Sequence, residues 1–169
     1  VGFIAAIIDQ AVINLNVDPG RVYVTGISNG ALMSHRLGCE LSAKIAAIAP
    51  VAGNFPYQMA GVLSPARPMP LIIINSTDDP LVPYNGGDIT FGSQKRGRVL
   101  SVDDTVKFWV EKNGCAWTPT ITQLPDSEQD GTTVTVTSYL NCSNGAEIVL
   151  YTINGGGHTW PGGFQYLPE

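Results

Sequence analysis

Apolar residues recur at a spacing of three and four from the start of this chain: Val1, Ile4, Ile7, Ile8, Ala11, Val12 and Leu15. That period predicts an amphipathic helix. Asp18-Pro19-Gly20 ends it and leads into Arg21 to Thr25, a short β-branched run that reads as a buried strand. Ala31 to Leu37 then reads as a helix, and Ile45 to Val51 as a second strand. Pro70 to Asn75 is apolar without alternation, as a parallel strand covered on both faces requires. In Val102 to Lys112, residues Val102, Val106, Trp109 and Val110 share one helical face, and Asn113-Gly114 supplies a stop. Ile121 to Leu124 and Thr132 to Leu140 alternate as strands do. The second of these is predicted to pair with Glu147 to Ile153 across the Asn141-Cys142-Ser143-Asn144-Gly145 turn.

Between the first predicted strand and the helix after it stands Gly26-Ile27-Ser28-Asn29-Gly30. A serine between two glycines at a strand-to-helix turn is a nucleophile elbow. The turn is so tight that side chains at both flanking positions are expected to collide with the neighbouring strand and helix. The helix N-terminus points its free N–H groups at the serine oxygen, and Asn29 can supply one oxyanion donor. A serine hydroxyl needs a histidine base, and the histidine needs a carboxylate that fixes its tautomer. His35 lies on the helix leading away from the elbow, which suits a structural role. His158 sits in Gly155-Gly156-Gly157-His158-Thr159-Trp160-Pro161-Gly162-Gly163, directly after an apolar run. A loop at the C-terminal end of a strand is where open α/β sheets gather their active sites. The acid should follow an intervening strand, and Pro70 to Asn75 ends in Ser76-Thr77-Asp78-Asp79-Pro80. Side chains of adjacent residues diverge, so one aspartate is expected to reach the histidine. Local physics does not choose between Asp78 and Asp79; the other braces the turn.

With these segments in hand, the chain resembles the secreted esterase family of poly(3-hydroxybutyrate) depolymerases and type-1 feruloyl esterases. The matching segments are Asp18 to Gly30, Ile48 to Gly53, Asp79 to Gly87 and Gly156 to Gly162. The resemblance implies an α/β-hydrolase fold, a mostly parallel sheet with flanking helices. It implies a Ser28-Asp79-His158 triad, because in the family the aspartate before Pro-x-Val-Pro-Tyr is the acid. Trp160 and Tyr84 flank the base and acid loops and are candidates to line an aromatic or acyl pocket. Their alternative role is packing. The family usually has His-Gly-Thr before the acid, whereas this chain has Asn75-Ser76-Thr77. The implied activity is carboxylic-ester hydrolysis on polyhydroxyalkanoate or feruloyl and aryl esters. An acetyl xylan esterase-like enzyme, or a non-catalytic domain that binds ligand or self-associates, are the alternatives. The fold normally carries about four strands before the elbow strand, including the loop with the second oxyanion N–H. One helix precedes it here, so residues 1–169 read as a partial catalytic domain, truncated at the N-terminus and without a closing helix at Pro168-Glu169. Homo-oligomerisation, or association with a separate N-terminal half, is therefore expected.

Composition narrows the partners. Charged residues make up 14% of the chain and the net charge is −5, so nucleic acid is not an expected ligand. No run of about 18 apolar residues occurs, and Val1 to Leu15 lacks the basic start and cleavage site of a signal peptide. An extracellular location is implied by the resemblance alone. Three cysteines are present, and Cys115 and Cys142 both fall in loops, which makes them the preferred disulfide and leaves Cys39 over. No pattern of metal ligands stands out, and neither a metal nor a cofactor is expected.

Overall fold

A computed structural model describes residues 1–164. The chain forms helix α1 (Gly2–Leu15), strand β1 (Tyr23–Ile27), helix α2 (Asn29–Glu40), and strands β2 (Ala47–Val51) and β3 (Leu71–Ser76). A hairpin of β4 (Gly87–Phe91) and β5 (Gln94–Val99) follows, then helix α3 (Val102–Asn113) and strands β6 (Thr120–Gln123), β7 (Thr133–Tyr139) and β8 (Ile148–Asn154). Pro168 and Glu169, read above as an end without a closing helix, lie outside the described residues.

Six strands make one mixed sheet in the order β1-β2-β3-β8-β7-β6. The pairs β1–β2, β2–β3 and β3–β8 are parallel, while β8–β7 and β7–β6 are antiparallel. The expected pairing of the last two long strands is thus present, with Tyr139 opposite Ile148. The four parallel strands all point their C-terminal ends to one edge. That edge receives the loops carrying Ser28, Asp79 and His158.

Alternation decides which side chains make the core. Ile48, Leu71, Ile73, Ile148 and Leu150 project to one face and are buried with Leu37 of α2 and Val102, Val106, Trp109 and Val110 of α3. Helix α3 is closed at both ends by local chemistry. The Ser101 hydroxyl accepts from Asp104 N–H, and Gly114 takes the left-handed conformation that ends the last turn. Helices α2 and α3 are tied across this core by a buried histidine. Trp109 Nε1 donates to His35 Nδ1 at 3.1 Å, so the neutral ring directs its Nε2–H to the Gly53 carbonyl 3.2 Å away. Burial lowers the His35 pKa to about 4, which keeps the ring neutral at ordinary pH.

The opposite face departs from expectation. The unbroken apolar run of β3 called for cover on both sides, yet Ile72 is 42% exposed. It belongs to a groove of about 560 Å³ with Tyr23, Ala47, Ala49, Pro70 and Val149. Among the described residues nothing lies over this face. β1, expected to be buried, is an edge strand, and its Tyr23 is 66% exposed. Helix α1 rests Val1, Ile4 and Ile8 on the core, while Phe3, Ile7, Ile13 and Leu15 face outward. Its apolar residues therefore exceed the single stripe a surface helix needs. The β4–β5 hairpin had no counterpart in the hydrophobic pattern. Most of its residues are exposed, so packing imposes no two-residue apolar alternation on it.

Cys115 and Cys142 are disulfide-bonded, and Cys39 is free and buried. The bridge closes a separation of 27 residues, which in a chain-entropy treatment is worth about 3.5 kcal/mol. It anchors the end of α3 to the turn before β8, the strand that leads to His158.

Candidate active site

Ser28 sits between β1 and α2 at φ 58°, ψ −119°. L-residues avoid this region, and such strain persists only where surrounding bonds over-determine it. Here Ser28 N–H donates to the Val51 carbonyl at 2.9 Å, and the Ser28 carbonyl accepts from Ala31 and Leu32 N–H. The two flanking glycines are not equivalent, contrary to the symmetric expectation. A Cβ on Gly26 would lie 2.7–2.9 Å from the backbone of Gly30, whereas a Cβ on Gly30 would meet nothing within 4 Å. The close approach of strand to helix is carried by Gly26 alone.

β3 and β8 are adjacent and parallel, with Ser76 opposite Ile153, so their C-terminal loops emerge side by side. Three bonds join those loops. Thr77 N–H donates to the Ile153 carbonyl, Asp78 N–H to the Gly156 carbonyl, and Gly155 N–H to Thr77 Oγ1. The Asp78 side chain turns back to accept from its neighbour Thr77 Oγ1 in an exposed setting. Asp79 points inward. Its Oδ1 accepts the N–H groups of Leu81 and Val82, each at 2.8 Å, and its Oδ2 lies 2.7 Å from His158 Nδ1. Both side chains of this pair are essentially buried. The carboxylate thereby holds Nδ1 of the imidazole and leaves Nε2 as the nitrogen free to take a proton. Behind the acid loop, Asn54 donates to the Pro83 and Leu100 carbonyls and accepts from Asn75 Nδ2. Asn75 Oδ1 is buried without a partner.

Ser28 and His158 share one sheet edge but are not hydrogen-bonded to each other in this structure. Apo sites commonly hold such pairs apart until substrate is bound. Asn29, the first residue of α2, lines the same cleft as Ser28, and its position in the first turn leaves its N–H without an intrahelical partner. That cleft, of about 370 Å³, is lined by Leu32 and Leu81 and by Ile89 and Phe91 of the β4–β5 hairpin. The hairpin residues went unnoticed in the sequence, where they carry no recognisable motif. Tyr84 and Trp160 are not among the residues lining this cleft. The Tyr84 hydroxyl bonds Thr152 Oγ1 at 3.0 Å and its ring packs on the core, where burial pushes the phenol pKa up. Trp160 is half-exposed on the His158 loop. Among the described residues no group of three or more His, Cys, Asp or Glu is arranged to hold a metal ion. Nor is any described helix long and apolar enough to cross a membrane.

No protein-family model matches the chain. Individual proteins do. Feruloyl esterase B of Piromyces equi is 37% identical over 144 residues, which cover 84% of this chain and 25% of that protein. Poly(3-hydroxyalkanoate) depolymerase C of Paucimonas lemoignei is 38% identical over 63 residues, 37% of this chain and 15% of that protein. The chain is a homologue of this esterase group. Among solved structures, the acetyl xylan esterase from Aspergillus awamori superposes with a TM-score of 0.56 at 16% identity, covering 95% of this chain and 62% of that one. The fold of this esterase homologue is therefore of the α/β-hydrolase type. It spans between a quarter and about half the length of the first curated relatives it matches.

Proposed function

We propose that this chain is part of a serine carboxylic-ester hydrolase, with Ser28 as nucleophile, His158 as base and Asp79 as the orienting acid. The observation that carries the reading is the buried Asp79–His158 pair at the edge where the strained Ser28 elbow ends. Ser28 Oγ attacks the ester carbonyl while His158 Nε2 takes its proton. Asp79 keeps the other ring nitrogen protonated and stabilises the imidazolium. The Asn29 N–H and the dipole of α2 stabilise the tetrahedral oxyanion. The imidazolium then protonates the leaving alcohol, and water, deprotonated by His158, releases the acid from the acyl-enzyme. Tyr84 and Trp160 act by packing their two loops or by meeting a substrate larger than the cleft.

The substrates are polyhydroxyalkanoate or feruloyl and aryl esters, in line with the names of the relatives. A second reading, deacetylation of an acetylated polysaccharide, is favoured by the fold shared with the acetyl xylan esterase. An extracellular location fits both the relatives and the Cys115–Cys142 disulfide. The test is hydrolysis of 4-nitrophenyl acetate together with labelling by a fluorophosphonate, in the wild type and in Ser28→Ala. One label on Ser28 and loss of turnover in the variant are expected. Labelling at another serine, or turnover that survives the substitution, refutes the assignment.

A further inference from the structure

The cleft lined by Ser28 and Asn29 is also lined by apolar Leu32, Leu81, Ile89 and Phe91 and by one cation, Arg96 of β5. A second depression, of about 260 Å³, shares Asn29, Leu32 and Arg96 with it and continues along α2 to Arg36 and Arg98. Every charged side chain lining either depression is an arginine, although the chain as a whole carries a net charge of −5. The three guanidinium groups are not equally engaged. Arg36 is paired with Glu40, and Arg98 lies 4.8 Å over the Tyr57 ring. Among the described residues Arg96 has no carboxylate partner. It donates to the neutral side-chain oxygen of Gln94, its neighbour on the same strand. The lysine next to it in sequence, Lys95, is neutralised by Asp88. One cation without a carboxylate partner among the described residues therefore lines the same cleft as Ser28.

A cleft of this size takes one small-molecule arm, and apolar walls with one placed charge fix its orientation. A planar guanidinium matches a carboxylate in a bidentate fork and is less strongly hydrated than an ammonium. We propose that Arg96 binds a carboxylate carried by the substrate, so that the preferred ester has an apolar body and a free carboxylate at the far end of one arm. This inference rests on Ser28 being the nucleophile, and it adds which ester that nucleophile meets. The carboxylate can lie on the acyl side of the scissile bond, as in a half-ester of a dicarboxylic acid. It can equally lie on the alcohol side, as in the terminal unit of an oligomer of hydroxy acids. The chemistry read by Arg96 is the same in both.

Two matched pairs of esters separate the sides: 4-nitrophenyl hydrogen glutarate against 4-nitrophenyl pentanoate, and 4-acetoxybenzoate against its methyl ester. The readout is the ratio of kcat/KM for the anionic over the neutral member. In Arg96→Gln this ratio is expected to fall about tenfold in at least one pair, the size of one charge-assisted bond in a partly open site. Arg96→Lys keeps the charge and should retain part of the ratio, and salt at 0.5 M should lower the wild-type ratio through screening, about 4 Å in Debye length. The pair that responds tells which arm occupies the cleft. A binding measurement independent of turnover accompanies it: calorimetric titration of 4-phenylbutyrate, with 4-phenylbutanamide as the uncharged control. Wild type should bind the acid about tenfold more tightly than Arg96→Gln does, with no such difference for the amide. Unchanged ratios in both pairs, together with equal binding of the acid, overturn the role of Arg96. Ester hydrolysis that survives Ser28→Ala refutes the nucleophile instead, and the titration still decides for or against a carboxylate site at Arg96.

Discussion

Gly26→Ala is a sharp test of how the elbow is built, because its partner glycine supplies the control. The added methyl would lie 2.7 Å from the carbonyl carbon of Gly30, 2.8 Å from its Cα and 2.9 Å from its oxygen, against about 3.4 Å for an ordinary contact. All three are backbone atoms, so no rotamer change relieves them. β1 is bonded to β2 along its whole length, and the first turn of α2 is fixed by two bonds to the Ser28 carbonyl. Strand and helix must separate by roughly 0.5–0.7 Å, an overpacking that costs about 1–3 kcal/mol. For 169 residues that is a fall of about 3–10 °C in melting temperature. A 1 Å misplacement costs about 10²-fold in rate, so with Ser28 as the proposed nucleophile this shift should cost roughly 10- to 100-fold in kcat. Gly30→Ala puts its methyl into open space and is expected to keep the melting temperature, with a loss of activity no larger than about threefold. Thermal unfolding and 4-nitrophenyl acetate kinetics on both variants decide the matter. If Gly26→Ala matches wild type, or Gly30→Ala is as damaging, the asymmetric account of the elbow is wrong.

Asp79→Asn should lower kcat by an order of 10³–10⁴, because an amide favours the wrong histidine tautomer, while Asp78→Asn should stay within about threefold; steady-state kinetics check this, and equal losses would count against Asp79. His35 makes acid sensitivity predictable. Its folded pKa of about 4 lies below the ordinary 6.5, so between those values the unfolded chain holds the extra proton and stability falls as pH falls. The loss by pH 4 is on the order of 3 kcal/mol, and it should be absent from the pH profile of His35→Gln measured by urea unfolding; an unchanged profile would place the acid sensitivity elsewhere. Finally, among the described residues β1 offers an unpaired edge next to the open face around Ile72, a combination that recruits further strands. Light scattering at tens of micromolar should find masses above one chain, and a clean monomer would show that this surface is tolerated in water.

Local sequence alone determined the parts that depend on near neighbours. The period of Val102 to Val110 and the Asn113-Gly114 stop define α3, the alternation of Thr132 to Leu140 beside the apolar run to Ile153 defines the hairpin of β7 and β8, and Gly26-Ile27-Ser28-Asn29-Gly30 marks the elbow because strand, turn and helix are contiguous there. The place of His158, in a glycine-rich loop after a strand, was legible for the same reason. The remaining features depend on residues far apart in the chain. Local physics does not separate Asp78 from Asp79, and only the resemblance pointed to Asp79; it is the side-by-side emergence of the β3 and β8 loops that brings Asp79 to a histidine 79 positions away. The burial of His35 required Trp109, 74 residues on, to supply the donor for its Nδ1. The open face could not be read from Ile72 because an apolar strand residue looks the same whether or not something covers it. Arg96 lies in a charged, exposed hairpin without periodicity, and it became a candidate only when the tertiary structure brought that hairpin to the cleft that Ser28 lines. Short-range steric and hydrogen-bonding preferences act on every chain conformation, whereas charge placement and cover across a cleft exist only once the sheet has brought distant loops to one edge.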